Sequence, residues 1–65
     1  MARAFVDSRG VRWDVEEALS ANGDARCLRF TSPGEVRETG AVPEGWAGLP
    51  DAELERLCER GVRLE

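Results

Sequence analysis

The side chains that could carry out chemistry in this chain are hydroxyls, carboxylates, two thiols and nine guanidinium groups. His, Lys and Tyr are absent, so the hydroxyls have no imidazole or amine base, which a nucleophilic site of the Ser–His type needs. The hydroxyl residues are Ser8, Ser20, Ser32, Thr31 and Thr39. The glycine-containing run 40–48 has no Lys and does not lead directly into a helix, unlike a phosphate-binding loop. We therefore predict that the protein is not an enzyme and has no catalytic residue and no cofactor.

The two thiols, Cys27 and Cys58, allow two interpretations. A disulfide between them would stabilise so small a protein. Free cysteines instead behave as small buried hydrophobic residues, and Cys58 falls on the apolar stripe of a predicted helix. A structural zinc site needs four ligands, which two thiols without His do not supply. We favour two free thiols, which thiol trapping after denaturation would detect, and we predict no metal site.

Carboxylates cluster in two places, at 14–17 and at 53–59. A pair of carboxylates could serve glycoside hydrolysis. Strand alternation, however, places Asp14 and Glu16 on one polar face together with Arg12, where charged side chains are normally solvated. We therefore predict a solvated charged face and no small-molecule substrate.

Length and charge limit the protein further. The chain has 65 residues and a formal net charge of −4, which predicts a single small domain over 1–65. An acidic protein has little general affinity for nucleic acid or for an anionic membrane surface. No stretch is long and apolar enough for a membrane span, and the N-terminus has no hydrophobic signal region. We therefore expect a cytoplasmic protein. Leu64 and Glu65 could be native or left from an expression tag.

A strand is predicted over residues 11–19. Val11, Trp13 and Val15 alternate with charged residues, which is typical of a half-buried strand. Residues 16–19 could extend this strand or form a short helical turn, and we favour the extension.

The preceding turn predicts a β-hairpin with a first strand at about 3–7. Asp7 is favoured at the first position of a type I turn, and Gly10 fits the left-handed residue of a three-residue hairpin loop. This loop pairs Phe5 with Trp13 and places both aromatic rings on one face of the sheet.

The elements that follow are predicted from turn signals and apolar spacing. After a turn at 21–24, they are strands at about 25–31 and 36–39, an irregular Gly/Pro segment at 40–50 and a helix at about 51–60. Pro33 and Gly34 favour a type II turn between the two strands. The strand at 36–39 is short and largely polar, which suits an edge of the sheet.

The predicted helix has an apolar stripe and a marked end. Leu54, Leu57 and Cys58 are spaced so that they fall on one face. Gly61 is expected to be left-handed, with Val62 against Leu57, as in a Schellman motif.

These elements define an α+β fold. We predict a three- or four-stranded antiparallel sheet, arranged as a hairpin-led meander, with one C-terminal helix packed on one face. The opposite face is expected to stay solvated and to carry charged side chains, namely Arg12, Asp14, Arg29 or Arg37.

Trp46 is a residue whose role the sequence does not decide. It either fills the open end of the core between sheet and helix, or anchors a partner at the surface, because Trp and Arg are common hot-spot residues. The predicted partner-binding residues are Trp46, Arg37, Val42 and Arg29. The predicted structural residues are Phe5, Gly10, Trp13, Leu54, Leu57, Cys58 and Gly61.

We therefore interpret the chain as a non-enzymatic protein–protein interaction module or an accessory subunit. Its predicted partner is another protein or a second copy, the latter through an edge-strand dimer at 36–39. No direct contact with nucleic acid or membrane is expected. The alternative is an acidic regulator or inhibitor that mimics nucleic acid and occupies a basic protein cleft. Steep weakening of binding by salt would favour that alternative.

Overall fold

The fold is a five-stranded antiparallel meander with one helix on one face. The computed structural model describes residues 2–20, 23 and 25–64. The α+β class is confirmed, with more strands than the sequence predicts. The elements in chain order are β1 (Ala2–Val6), β2 (Arg12–Leu19), β3 (Arg26–Thr31), β4 (Val36–Thr39), a 3-10 turn (Trp46–Gly48), α1 (Asp51–Arg60) and β5 (Val62–Arg63). The strands lie side by side in sequence order.

The first hairpin follows from local turn chemistry, as predicted. Phe5 lies opposite Trp13 in the register of β1 and β2. The backbone N–H of Asp7 donates to Val11 O at 2.9 Å, and Gly10 N–H donates to Asp7 O at 3.0 Å. Gly10 has a φ of 85°, the left-handed conformation that the third residue of this loop requires. β2 continues to Leu19, so the predicted strand extension is confirmed.

The β2–β3 and β3–β4 turns are the next two connections to be compared with the predictions from the sequence. Ser20 N–H donates to the carbonyl of Ala25 at 2.7 Å and closes the β2–β3 connection. The predicted turn at 21–24 lies mostly outside the described residues. Between β3 and β4, Ser32 N–H donates to Glu35 O at 2.9 Å. Gly34 does not have a positive φ, so the predicted type II turn is wrong.

β4 was expected at an edge of the sheet, and this expectation is wrong. β5 pairs with it, with Val62 opposite Glu38, and Leu64 N–H donates to Val36 O at 2.7 Å. The edges of the sheet are therefore β1 and the two-residue β5.

Gly61 ends α1 for a reason other than the one predicted. Its φ is −70° and its ψ is 153°, so it is extended rather than left-handed. A Cβ at this position would lie 3.1 Å from Cys58 O and 3.3 Å from Arg37 Cβ. Gly61 is needed because the chain passes close to β4 as it turns from the helix into β5. The predicted Schellman geometry, with Val62 against Leu57, is accordingly wrong.

The core lies between α1 and the covered side of the sheet, which we call the helix face. Its buried side chains are Phe5, Trp13, Val15, Leu28, Phe30, Trp46, Leu54 and Cys58, and Leu57 packs against them. The rings of Phe5 and Phe30 meet edge to face at 6.4 Å between centroids.

Polar contacts fix the path of α1 across this face. At its start the Arg3 guanidinium donates to the carbonyl of Leu49 and, at 2.6 Å, to Asp51. In its middle the carboxylate of Glu55 accepts from the N–H and the hydroxyl of Ser8, at 3.0 and 2.7 Å. The helix therefore follows β1 towards the hairpin turn before it reaches β4.

Alternation along the strands defines the opposite side, which we call the open face. Its residues, from the strand registers, are Ala4, Val6, Arg12, Asp14, Glu16, Ala18, Cys27, Arg29, Thr31, Val36, Glu38 and Val62. Arg12, Asp14 and Arg29 lie on it as predicted. Arg37 does not, because it pairs with Phe30 in the register and therefore shares the helix face.

Candidate functional site

Trp46 lies in the core. Its side chain is only 5% exposed, which is not where an exposed partner anchor would lie. The 3-10 turn that carries it begins after Gly45, whose φ of 73° is left-handed. The indole N–H donates to a carboxylate oxygen of Glu17 at 2.8 Å. Trp46 therefore closes the core from the segment between β4 and α1.

Glu17 holds this contact from the end of β2. Its other carboxylate oxygen accepts from Arg26 at 2.6 Å. The indole of Trp46, followed by the Arg26 guanidinium, lowers the pKa of the Glu17 carboxyl below its usual value. The charged form of Glu17 thus stabilises the position of the tryptophan.

Arg37 joins β4 to the end of α1. Its guanidinium makes two contacts with Glu35, at 2.9 and 3.3 Å, and donates to Cys58 O at 3.2 Å. It also lies over the ring of Trp13, 5.7 Å from the centroid. The hydrogen bond with Glu35 raises the pKa of Arg37. These contacts make Arg37 part of the packing between sheet and helix.

The four predicted partner-binding residues do not form one surface. Val42 is half-buried and packs against the core beside Trp46. Arg29 lies on the other side of the sheet, where its guanidinium pairs with Glu38 at 2.9 Å. Arg37 faces the helix at another strand. The sequence therefore names residues that the fold separates.

Asp7 is a structural residue that the sequence places only in a turn. Its carboxylate is buried and accepts from Trp13 Nε1 at 3.0 Å and from the N–H groups of Val11 and Arg9, both at 2.9 Å. These hydrogen bonds, the indole's first, lower the pKa of Asp7 to about 2. The indole N–H of each tryptophan therefore donates a hydrogen bond to a carboxylate. An Asp at the first position of a turn with a Trp six residues later is the signal that could have revealed this pair.

Cys27 and Cys58 are free and buried, on opposite faces of the sheet. Burial raises the pKa of Cys58 to about 11, and burial followed by Glu38 raises that of Cys27. Both thiols are therefore unreactive near neutral pH. Within the described residues, no group of three potential ligands is placed to hold a metal ion, and no helix is long and apolar enough to cross a membrane.

The backbone of β1 forms an edge of the sheet, which we call the β1 edge. Hydrogen-bonded and non-hydrogen-bonded pairs alternate along an antiparallel ladder. Asp7 N–H bonds to Val11 O, so these two residues form a hydrogen-bonded pair, and by alternation Phe5 and Trp13 form the next one. Val6 and Ala4, on either side of Phe5, therefore belong to non-hydrogen-bonded pairs. The N–H and C=O groups of Ala4 and Val6 therefore point away from the sheet. Among the described hydrogen bonds, none uses these outward groups.

The side chains at the β1 edge are exposed and uncharged. Ala4 is exposed, and Val6 is 54% exposed. The one charged residue of the strand, Arg3, faces the helix and is already paired with Asp51. The β1 edge thus combines backbone groups that have no partner in the sheet with small, uncharged and exposed side chains on the open face.

A surface depression lies at the turn end of the sheet. It has a volume of about 470 Å³ and is bounded by the β1–β2 and β3–β4 turns. Arg9 and Arg12 lie along it, but each has a carboxylate neighbour, Asp7 at 3.4 Å and Asp14 at 3.5 Å. The depression therefore has no concentrated charge to hold an ion.

These features define the chain as a small antiparallel α+β protein with an unprotected sheet edge. Comparison with known proteins finds no matching family model, no matching curated protein and no matching solved structure.

Proposed function

We propose that this protein is a non-enzymatic interaction module, or an accessory subunit, that binds a protein partner by adding a strand to its sheet at the β1 edge. The outward backbone groups of Ala4 and Val6 carry this proposal. An extended partner segment would exchange hydrogen bonds with them, as in strand addition to an exposed sheet edge. The exposed side chains of the same two residues would contact the partner's side chains on the open face.

The β1 edge is better suited to this role than the β5 edge. β1 has five residues, whereas β5 has two. Short edge strands and exposed charges are the usual protection against strand pairing. β5 carries the exposed Arg63, whose guanidinium lies 3.6 Å from Glu35. On β1, Arg3 is turned to the helix face, so its charge does not oppose an added strand.

The buried free thiols support a cytoplasmic location as part of this proposal. Cys27 and Cys58 lie on opposite faces of the sheet and make no disulfide. Unpaired cysteines of this kind are typical of proteins in a reducing compartment.

A photo-crosslinking comparison tests the proposed surface. One variant carries a photoreactive amino acid at Val6, and a matched variant carries it at Thr31, an exposed position on a central strand of the open face. Each is irradiated in purified form and in a lysate of the source organism. We expect adducts from position 6 and none from position 31. A second substitution, Ala4→Pro, removes an outward N–H that β2 does not use, and it should abolish the adducts.

The proposal would be contradicted if positions 6 and 31 gave the same adducts, or if Ala4→Pro left the adducts unchanged while its melting temperature stayed near that of the unsubstituted protein. If Ala4→Pro does not fold, Ala4→Lys serves instead. It places a charge on the edge and keeps the backbone N–H.

The alternative, an acidic mimic of nucleic acid, has less support from the charges. Among the residues that the structure describes, carboxylates at seven positions have an arginine partner, so the two signs of charge are interleaved across that surface. A mimic of a phosphate backbone needs a continuous run of negative charge. Binding to a basic protein that falls steeply with added salt and survives Ala4→Pro would nevertheless favour the mimic.

A further inference from the structure

We infer that the partner at the β1 edge is a second copy of this chain, paired antiparallel about a two-fold axis at Ala4. This inference rests on the proposed function and names the occupant of the same surface. The result would be a continuous ten-stranded sheet, with both helices on one side.

The position of the outward groups favours this register. β1 spans Ala2–Val6, so Ala4 is its central residue. The same alternation that turns Ala4 and Val6 outward also turns the backbone of Ala2 outward. In an antiparallel pair centred on Ala4, each outward residue meets another outward residue: Ala4 meets Ala4 of the second copy, and Ala2 meets Val6. No outward N–H or C=O of the strand is then left without a partner.

Side-chain size and charge also agree with self-pairing. The small Ala4 side chains lie next to each other at the axis, where a larger pair would crowd. On the helix face, Arg3 lies opposite Phe5 of the second copy and diagonal to Arg3 of that copy, and each Arg3 is already paired with Asp51.

In this arrangement the two outer open-face rows next to β1 place opposite charges in line, while the central row places Asp14 of each copy in line across the two Ala4 residues. Arg12 lies beside Val6 and Glu16 lies beside Ala2 in the β1–β2 register. Because Val6 of one copy meets Ala2 of the other, Arg12 of one copy lies in the same cross-strand row as Glu16 of the other. The separation is three strand spacings, roughly 14 Å, so these charges interact only at long range and are largely screened by salt.

Cysteine crosslinking tests the register directly. In the predicted dimer, the two Ala4 Cα atoms lie about 5.5 Å apart, within the range for a disulfide. The two Val6 Cα atoms lie about 13 Å or more apart, because their positions differ by four residues along the strands. We therefore expect Ala4→Cys to form a disulfide-linked dimer under mild oxidation, roughly tenfold or more faster than Val6→Cys. The unsubstituted protein, with its buried native thiols, is the second control.

The interface is small, so the dimer is expected to be weak. Sedimentation from about 10 µM to about 1 mM should show reversible dimer formation, and Ala4→Lys should shift the protein to monomer at every concentration. Thr31→Lys, the same change on a central strand, should leave the dimer intact.

The inference is overturned if Ala4→Cys stays monomeric or if Val6→Cys reacts as fast. The proposed function survives that result if Val6 still crosslinks to a different protein in a manner that Ala4→Pro abolishes. It fails together with the inference if neither the second copy nor another protein depends on the β1 edge.

Discussion

Replacing Trp46 by Ala tests whether this side chain belongs to the core or to a binding surface. The structure buries the indole between sheet and helix, with 5% of its surface exposed and its N–H bonded to Glu17. The substitution removes the ring from the core and leaves a cavity. It also removes the hydrogen bond that Glu17 accepts.

The expected loss is a large part of the total stability. A buried Trp side chain removes roughly 150–250 Å² from water, which corresponds to about 4–6 kcal/mol as an upper bound, and measured Trp→Ala costs in cores are about 3–5 kcal/mol. A chain of this length is expected to have a free energy of unfolding of about 3–10 kcal/mol. A loss of about 4 kcal/mol would lower the melting temperature by roughly 15–30 °C.

The assay is urea and thermal unfolding followed by far-ultraviolet circular dichroism, with Trp13 fluorescence as a second probe. Leu19→Ala is the matched control, because Leu19 is also a large apolar residue but is 60% exposed. Its free energy of unfolding should change by less than about 0.5 kcal/mol. If Trp46→Ala were as mild as Leu19→Ala, the placement of Trp46 in the core would be refuted.

Three further predictions follow from single side chains. The pKa of Asp7 is lowered to about 2 from a usual value of 3.8, so its contribution to stability is present above about pH 4 and is lost as the pH falls towards 2; Asp7→Asn should flatten the stability–pH curve in that window. The thiol of Cys58, with a pKa of about 11, should react with a disulfide reagent only slowly in the folded protein, and both thiols should react fully after denaturation. Gly61→Ala should destabilise the protein by about 1 kcal/mol or more, because its Cβ would meet Cys58 O at 3.1 Å, whereas Gly40→Ala, with open space around it, should change stability little.

These three predictions have separate contradicting results. An acid-unfolding profile that Asp7→Asn leaves unchanged would argue against the buried carboxylate. Rapid modification of Cys58 in the native protein would argue against its burial. Equal melting temperatures for Gly61→Ala and Gly40→Ala would remove the close approach as the reason for a glycine at the end of the helix.

The parts of the fold that sequence reasoning predicts correctly are those set by neighbouring residues. The first hairpin has its turn chemistry and its alternation within a few residues, so the pairing of Phe5 with Trp13 could be derived. The bounds of α1 follow in the same way from apolar spacing and the Gly at its end. Such features need no knowledge of distant parts of the chain.

The features that the sequence misses depend on distant pairing. β5 exists because the chain after α1 returns to β4, and only the folded structure brings those segments together. Gly61 could be recognised as special, but sequence alone does not tell whether a glycine serves a positive φ or a close approach. The sequence places Arg37 on the open face, which is wrong, because the register of β4 against β3 cannot be derived from the sequence.

The contacts of the candidate site divide in the same way into short-range contacts, which the sequence can suggest, and long-range contacts, which it cannot. The contact between Asp7 and Trp13 spans six residues and lies within the hairpin, whereas Glu17 and Trp46 are 29 residues apart. A short-range pattern can suggest the first and not the second. The sequence does not reveal the β1 edge, because β1 stays at an edge only if β5 pairs with β4 and not with β1.

Amide hydrogen exchange in β1, measured at several protein concentrations, tests the central claim most directly. Phe5 N–H bonds within the protein, so its exchange should be slow at about 10 µM and at about 1 mM alike. The N–H groups of Ala4 and Val6 point outward, so they should exchange rapidly in the dilute protein and slow in proportion to the dimer fraction as the concentration rises. If Ala4 and Val6 exchanged at the same rapid rate at every concentration, pairing of two copies at the β1 edge would be contradicted.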